Sequence, residues 1–154
     1  MAAQDLVGTA RGVVDAFNAA DWERCKSILT EDSECDEVGT SRCLVGHREI
    51  IPALQGWREG MPDVTGTVES AVASGNTVVR EITWQGTQTG PLSGPSGTIA
   101  HTGKQQTTRA GWVMDFDGGL GQAKPPRLRH AVIHATARRP VAVVPSLGPG
   151  RVLA

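Results

Sequence analysis

No tyrosine occurs anywhere in the 154 residues, so no phenol is available as a proton donor. Aromatics are scarce altogether, with four tryptophans and two phenylalanines. There is no excess of charge of either sign. Fifteen Lys and Arg against 16 Asp and Glu leave a net charge of -1, which excludes the basic footprint that nucleic acid or an anionic membrane would require. Long apolar runs are missing, so no bilayer span is expected. Residues Met1–Asp5 lack a basic stretch followed by an apolar one, so no secretory signal is read and a cytoplasmic location is expected. The three cysteines are odd in number and form no CxxC pair, against a disulfide framework or a zinc site. Cys25, Cys35 and Cys43 read as small hydrophobes, although Cys35 and Cys43 flank a turn at Gly39-Thr40 across which they would face. From residue 120 onward there is neither Asp nor Glu.

What is present reads as one domain. Leu6, Ala10, Val13, Val14 and Phe17 recur at helical spacing, which predicts a helix over 5–19 with Asp5 as its cap. Asp21 caps a second, short helix carrying Trp22, Cys25, Ile28 and Leu29. Short strands are expected at Glu34–Val38 and Arg42–Val45. A third helix is read over 47–60, with Ile50, Leu54, Trp57 and Met61 as its stripe. Pro52 would cost this helix a hydrogen bond, so its start is expected near Glu49, or else a bend. Strands then dominate. Val64–Ala73 and Thr77–Gly86 are joined across Gly75-Asn76, a hairpin signal. Residues 87–103 form a long loop, and Lys104–Phe116 reads as a strand ended by Asp117-Gly118-Gly119. Helices followed by antiparallel strands predict an α+β domain with helices on one face of a curved sheet.

Several segments carry a resemblance in their order and spacing. They are Phe17-Asn-Ala-Ala-Asp-Trp22, Asp36–Arg42 with Gly46-His-Arg-Glu-Ile50, Met61-Pro-Asp63, Trp84–Leu92 closed by His101-Thr-Gly-Lys104, and Trp112–Gly118. Together they resemble the SnoaL-like branch of the NTF2-like superfamily over roughly residues 10–119. The resemblance implies a conical fold with three N-terminal helices on a curved antiparallel sheet around a central pocket. It also implies a small hydrophobic or polyketide-like ligand, a homodimer formed through the sheet, an antibiotic-biosynthetic setting, and no cofactor or metal.

The sequence departs from that family after the turn at 117–119. Relatives continue with a last strand rich in His and aromatics and carrying an Asp; here Pro125 and Pro126 stand where a central strand would begin, which a ladder tolerates poorly. Residues 1–119 are therefore read as the domain and 120–154 as an atypical tail with two readings. Either Arg129–Ala137 supplies the last strand, or the tail is an off-frame, partly disordered reading. Shifting the codons of Leu120–His130 by one base, with suitable synonyms, yields Trp-Ala-Arg-Arg-Ser-His-His-Asp-Tyr-Ala-Thr.

The candidate site follows from strand alternation. Val78, Arg80, Ile82 and Trp84 share one face of their strand. Arg80 either points into the pocket to hold an enolate, carboxylate or phenolate oxygen, or snorkels and pairs with Glu69 or Glu81. Of Asp36 and Glu37, alternation sends only one inward; Asp36 is taken as the proton-moving acid. Asp115 is the other candidate acid, and Asp117 serves its turn. Trp57, Trp84 and Trp112 are expected to line the cavity or the core, with Gln88 on a lid-like loop and His101 at the mouth completing a ligand-binding set. His130 and His134 form no HExxH pair, and metal binding is not expected there. Ser93 and Ser96 lack a nucleophile-elbow context.

Three functions remain open. The first, implied by the resemblance, is cofactor-independent acid–base chemistry such as aldol cyclisation of a polyketide. Lacking tyrosine, the chain cannot copy the Tyr-containing oxyanion hole of ketosteroid isomerases, so Arg80 or a Trp N–H would substitute. The second is a non-catalytic ligand carrier or dimeric scaffold. The third, an epoxide hydrolase or hydroxylase relative, requires Arg80 or Arg109 between two inward acids.

Overall fold

The structure, a computed structural model, describes residues 2–94, 97–117 and 127–137. Three helices come first among them: α1 (Ala2–Asn18), α2 (Trp22–Ile28) and α3 (His47–Gly60). The short strands β1 (Leu29–Glu37) and β2 (Arg42–Val45) lie between α2 and α3. After α3 follow β3 (Thr65–Ser74), β4 (Thr77–Thr87), β5 (Leu92–Gly94), β6 (Gly97–Ile99), β7 (Gln105–Asp117) and β8 (Arg127–Ala137). Six strands form one sheet in the order β2-β1-β8-β7-β4-β3, and β5 pairs with β6 separately. Among the described residues only the β1–β8 pairing is parallel; the other pairings are antiparallel.

The apolar stripe of α1 is what holds the helix layer to the sheet. Leu6, Ala10, Val14 and Phe17 are all buried against the strands, as their helical spacing requires. The helix begins at Ala2, ahead of the expected cap at Asp5. Asp21 does cap α2, accepting a bond from the Arg24 N–H at 3.0 Å. Helix α3 starts at His47, before Pro52 and without waiting for Glu49. Gly46, at φ 71°, makes the entry turn, and the Glu49 carboxylate takes the Val45 N–H at 2.8 Å. This single bond, accepted by Glu49 from the residue before the cap, fixes the helix entry, since Gly46 has no side chain with which to cap.

The turn at Gly75-Asn76 forms as its sequence demands, with Gly75 at φ 57°. The stretch after β4 is not bare loop, since it carries the β5–β6 hairpin strands. Residues 127–137 lie in the middle of the main sheet, between β7 and β1. The tandem prolines, the Gly118-Gly119 turn and everything after Ala137 fall outside the described residues, as does Ser96. Ser33 ties this strand to the first half of the chain. Its buried hydroxyl donates to the Leu128 carbonyl at 2.6 Å and meets the Thr30 hydroxyl at 2.9 Å.

Candidate functional site

Between α3 and the β1–β8–β7 part of the sheet lies a cavity of about 420 Å³. Its walls are mostly aliphatic and aromatic, including Leu54 and Trp57 from α3, Trp84 from β4, and Ala110 and Trp112 from β7. Strand β8 adds Leu128, Ala131 and Ile133, so the unusual tail builds part of the chamber. Leu92 and Ser93 of the small hairpin close over one side.

The tryptophans form one continuous cluster. Trp57 and Trp84 meet edge to face with centroids 4.8 Å apart, and Phe17 sits 5.2 Å from both. Trp112 follows at 6.1 Å from Trp84. Each such pair adds roughly 0.5–1.5 kcal/mol beyond area burial, so the aromatic wall is held rigidly. Gly66 makes room for it, because Trp84 lies directly over its Cα.

Polar groups are few and concentrated on β1 and β2. Ser33, Cys35 and Glu37 of β1 lie on the wall, joined by the exposed Glu34. Arg42 holds Glu37 with two bonds, Nε to Oε2 at 3.0 Å and Nη2 to Oε1 at 2.9 Å. Both side chains remain partly exposed, which sets this pair at the rim. Donating to Glu37 holds the Arg42 guanidinium above its ordinary pKa. Burial pushes the Cys35 thiol up to about 12 and that of Cys25, also on the wall, up to about 11, so both are neutral thiols at neutral pH. The three cysteines are free. Cys43 pairs in register with Asp36 rather than with Cys35, so the two cysteines do not face each other.

The expected catalytic residues are not brought together. Asp36 is absent from the cavity lining; its register neighbours across the sheet are Cys43 and Val132, in a row that continues through Val113 and Val79 to Val72. Alternation along β1 sends Glu37, not Asp36, to the wall. Asp115 is likewise off the wall, accepting a 2.6 Å bond from the Thr77 hydroxyl. Arg80 is fully buried but lies behind Trp112, its guanidinium carbon 4.6 Å from the indole centroid. Its Nη1 donates to the Ala10 carbonyl. Burial, with repulsion from Arg11, pushes its pKa down to about 9, still protonated at neutrality. Neither Glu69 nor Glu81 pairs with it; both are exposed. Arg109 is exposed too, so no Asp–Arg–Asp constellation forms among the described residues.

Of the expected ligand-binding set, Trp57, Trp84 and Trp112 line the cavity. Gln88 does not. It is buried as a staple, donating from Nε2 to the Ala100 carbonyl at 3.1 Å and accepting from the Thr102 hydroxyl at 2.9 Å. His101 is exposed on the same connection and also off the wall. The sequence assigned no site role to Ser33 or Arg42 and took Cys35 for a small hydrophobe. The alternation of β1, once anchored by buried Leu29 and Ser33, was the signal for Ser33 and Cys35, and Arg42 follows as the register partner of Glu37 on β2. No three His, Cys, Asp or Glu side chains gather as a metal site among the described residues, and no described helix is long and apolar enough to cross a membrane.

A chambered sheet behind three helices is the architecture the resemblance implied, and the SnoaL-like domain family matches residues 10–121. The chain belongs to that family. Solved structures of similar fold include a candidate SnoaL-like polyketide cyclase from Jannaschia sp. CCS1, at 16% identity and TM-score 0.73 over 87% of each chain. The candidate polyketide cyclase IdmH from Streptomyces antibioticus aligns at 18% identity and TM-score 0.67, over 84% of this chain and 91% of that one. AclR, a candidate hydroxylase from Streptomyces galilaeus, aligns at 16% identity and TM-score 0.69, over 86% of this chain and 90% of that one. At such identities the likeness establishes the NTF2-like fold of this SnoaL-like domain. No curated protein matches the chain.

Proposed function

We propose that this SnoaL-like domain binds a small, flat, largely apolar ligand of polyketide type in the chamber between α3 and the sheet. The observation that carries the reading is the wall itself. Three tryptophans and a row of aliphatic side chains surround about 420 Å³, in the size range of small-molecule sites. Isothermal titration with flat aromatic ketones tests it. Filling the chamber by Ala131→Trp should abolish binding, whereas Asp36→Ala and Asp115→Ala, off the wall, should leave it intact. Retained affinity in Ala131→Trp would contradict the reading.

One observation favours chemistry in addition to binding. Glu37 is a wall carboxylate held by a guanidinium at the rim. In this second reading, Glu37 removes an acidic proton from a poly-β-keto ligand, and the enolate closes an aldol ring without a cofactor. Glu37→Gln should then abolish cyclisation while leaving affinity within a few-fold; unchanged turnover would leave only the carrier.

The sheet's other face supports the homodimer. Exposed Val72 and Val79 continue in register through Val113 to Val132, an apolar row that a second copy would cover. A cytoplasmic place in antibiotic biosynthesis is part of the same proposal.

A further inference from the structure

We infer that the inner end of the chamber recognises a carboxylate, so that the ligand is a small apolar acid whose anionic group pairs with Arg80. This rests on the ligand-binding reading above and specifies its substrate class.

The guanidinium of Arg80 has no solvent exposure. Nη1 is committed to the Ala10 carbonyl. Nε and Nη2 are buried and have no acceptor among the described residues. Those two nitrogens form a single edge of the guanidinium plane, and their parallel N–H bonds match the two oxygens of a carboxylate. The uncommitted donors are thus not scattered but form the bidentate fork. A third buried donor, Trp112 Nε1, also lacks an acceptor. The cluster supplies three N–H groups and a positive charge. Among the described residues, the acid that acts on Arg80 is Asp15, an exposed residue of α1, and Arg11 opposes it.

Trp112 connects this cluster to the chamber. It both lines the cavity and stacks on the guanidinium. Its Nε1–H has no acceptor among the described residues, so turning the indole aside breaks no hydrogen bond there, only the cation–π contact and the packing against Trp84. A carboxylate reaching the fork replaces the cation–π contact with a charge-assisted pair, the stronger interaction. The apolar body of the ligand remains against Trp57 and Trp84.

The test is equilibrium binding of 2-naphthoate and its methyl ester to the full chain, followed by tryptophan fluorescence. The acid should bind at least about ten-fold more tightly than the ester, the size expected for hydrogen bonds to a charged group. Arg80→Met should erase the preference while leaving ester affinity within about three-fold, and Arg80→Lys, which keeps charge without the fork, should restore only part of it. Equal affinity of acid and ester for the unaltered protein, or a preference that survives Arg80→Met, overturns the carboxylate assignment and leaves the chamber standing. Failure of both probes to bind overturns the chamber reading as well.

Discussion

Replacing Arg80 by methionine should make the protein more stable. Methionine has nearly the volume of arginine and fits the same slot between α1 and the sheet. Two buried N–H donors without acceptors cost about 1–3 kcal/mol each, and the desolvated charge adds to that burden. Against this stand the bond to the Ala10 carbonyl, about 1.5–3 kcal/mol for a charged donor, and the stacking on Trp112, about 2 kcal/mol when desolvated. Replacing buried charged groups by apolar ones of similar shape is commonly neutral or stabilising by about 1–4 kcal/mol. The balance favours methionine by roughly 2 kcal/mol, a rise in Tm of about 4–8 °C for a domain of this size. Calorimetry on both proteins at pH 7 measures it. A fall of more than about 4 °C would show that the guanidinium is compensated in the fold, and would refute the reasoning that it is held in readiness for a ligand.

Gly66→Ala should lose about 1–3 kcal/mol, since its Cβ would stand 2.5 Å from the Trp84 ring; an unchanged melting temperature would contradict the packing. Ellman titration at pH 8 should find Cys43, which is exposed, reacting quickly, with Cys25 and Cys35 slow because burial holds both as thiols. Their folded pKa values lie above the unfolded value of about 9, so the stability they contribute is full below pH 9 and is lost as pH rises through about 11 to 12; Cys35→Ala should flatten that alkaline decline. Val79→Glu, placed in the exposed valine row, should convert a dimer to a monomer by light scattering, and a monomeric unaltered protein would contradict the dimer.

The fold was legible because its signals are periodic. The stripe of α1, the Asp21 cap and the Gly75-Asn76 hairpin each carry a local pattern that the packing then uses. The last strand was harder to read, because β8 lies centrally although acid-free and preceded by prolines; long-range pairing to β7 and β1 decides it. The three wall tryptophans were legible from their rarity. Asp36 and Glu37 differ only by the parity of β1, which depends on where Ser33 docks against Leu128, 95 residues away. Gln88 looked like a ligand contact because it opens a glycine-rich stretch. Its role as a staple depends on Ala100 and Thr102, partners that no short motif announces.

The central claim, a ligand chamber walled by three of the four tryptophans, is tested most directly by the indole N–H resonances of 15N-labelled protein titrated with methyl 2-naphthoate. Trp57, Trp84 and Trp112 should shift together and saturably, while Trp22, packed on Phe17 and off the cavity wall, stays in place. No shift, or a shift confined to Trp22, would contradict the account.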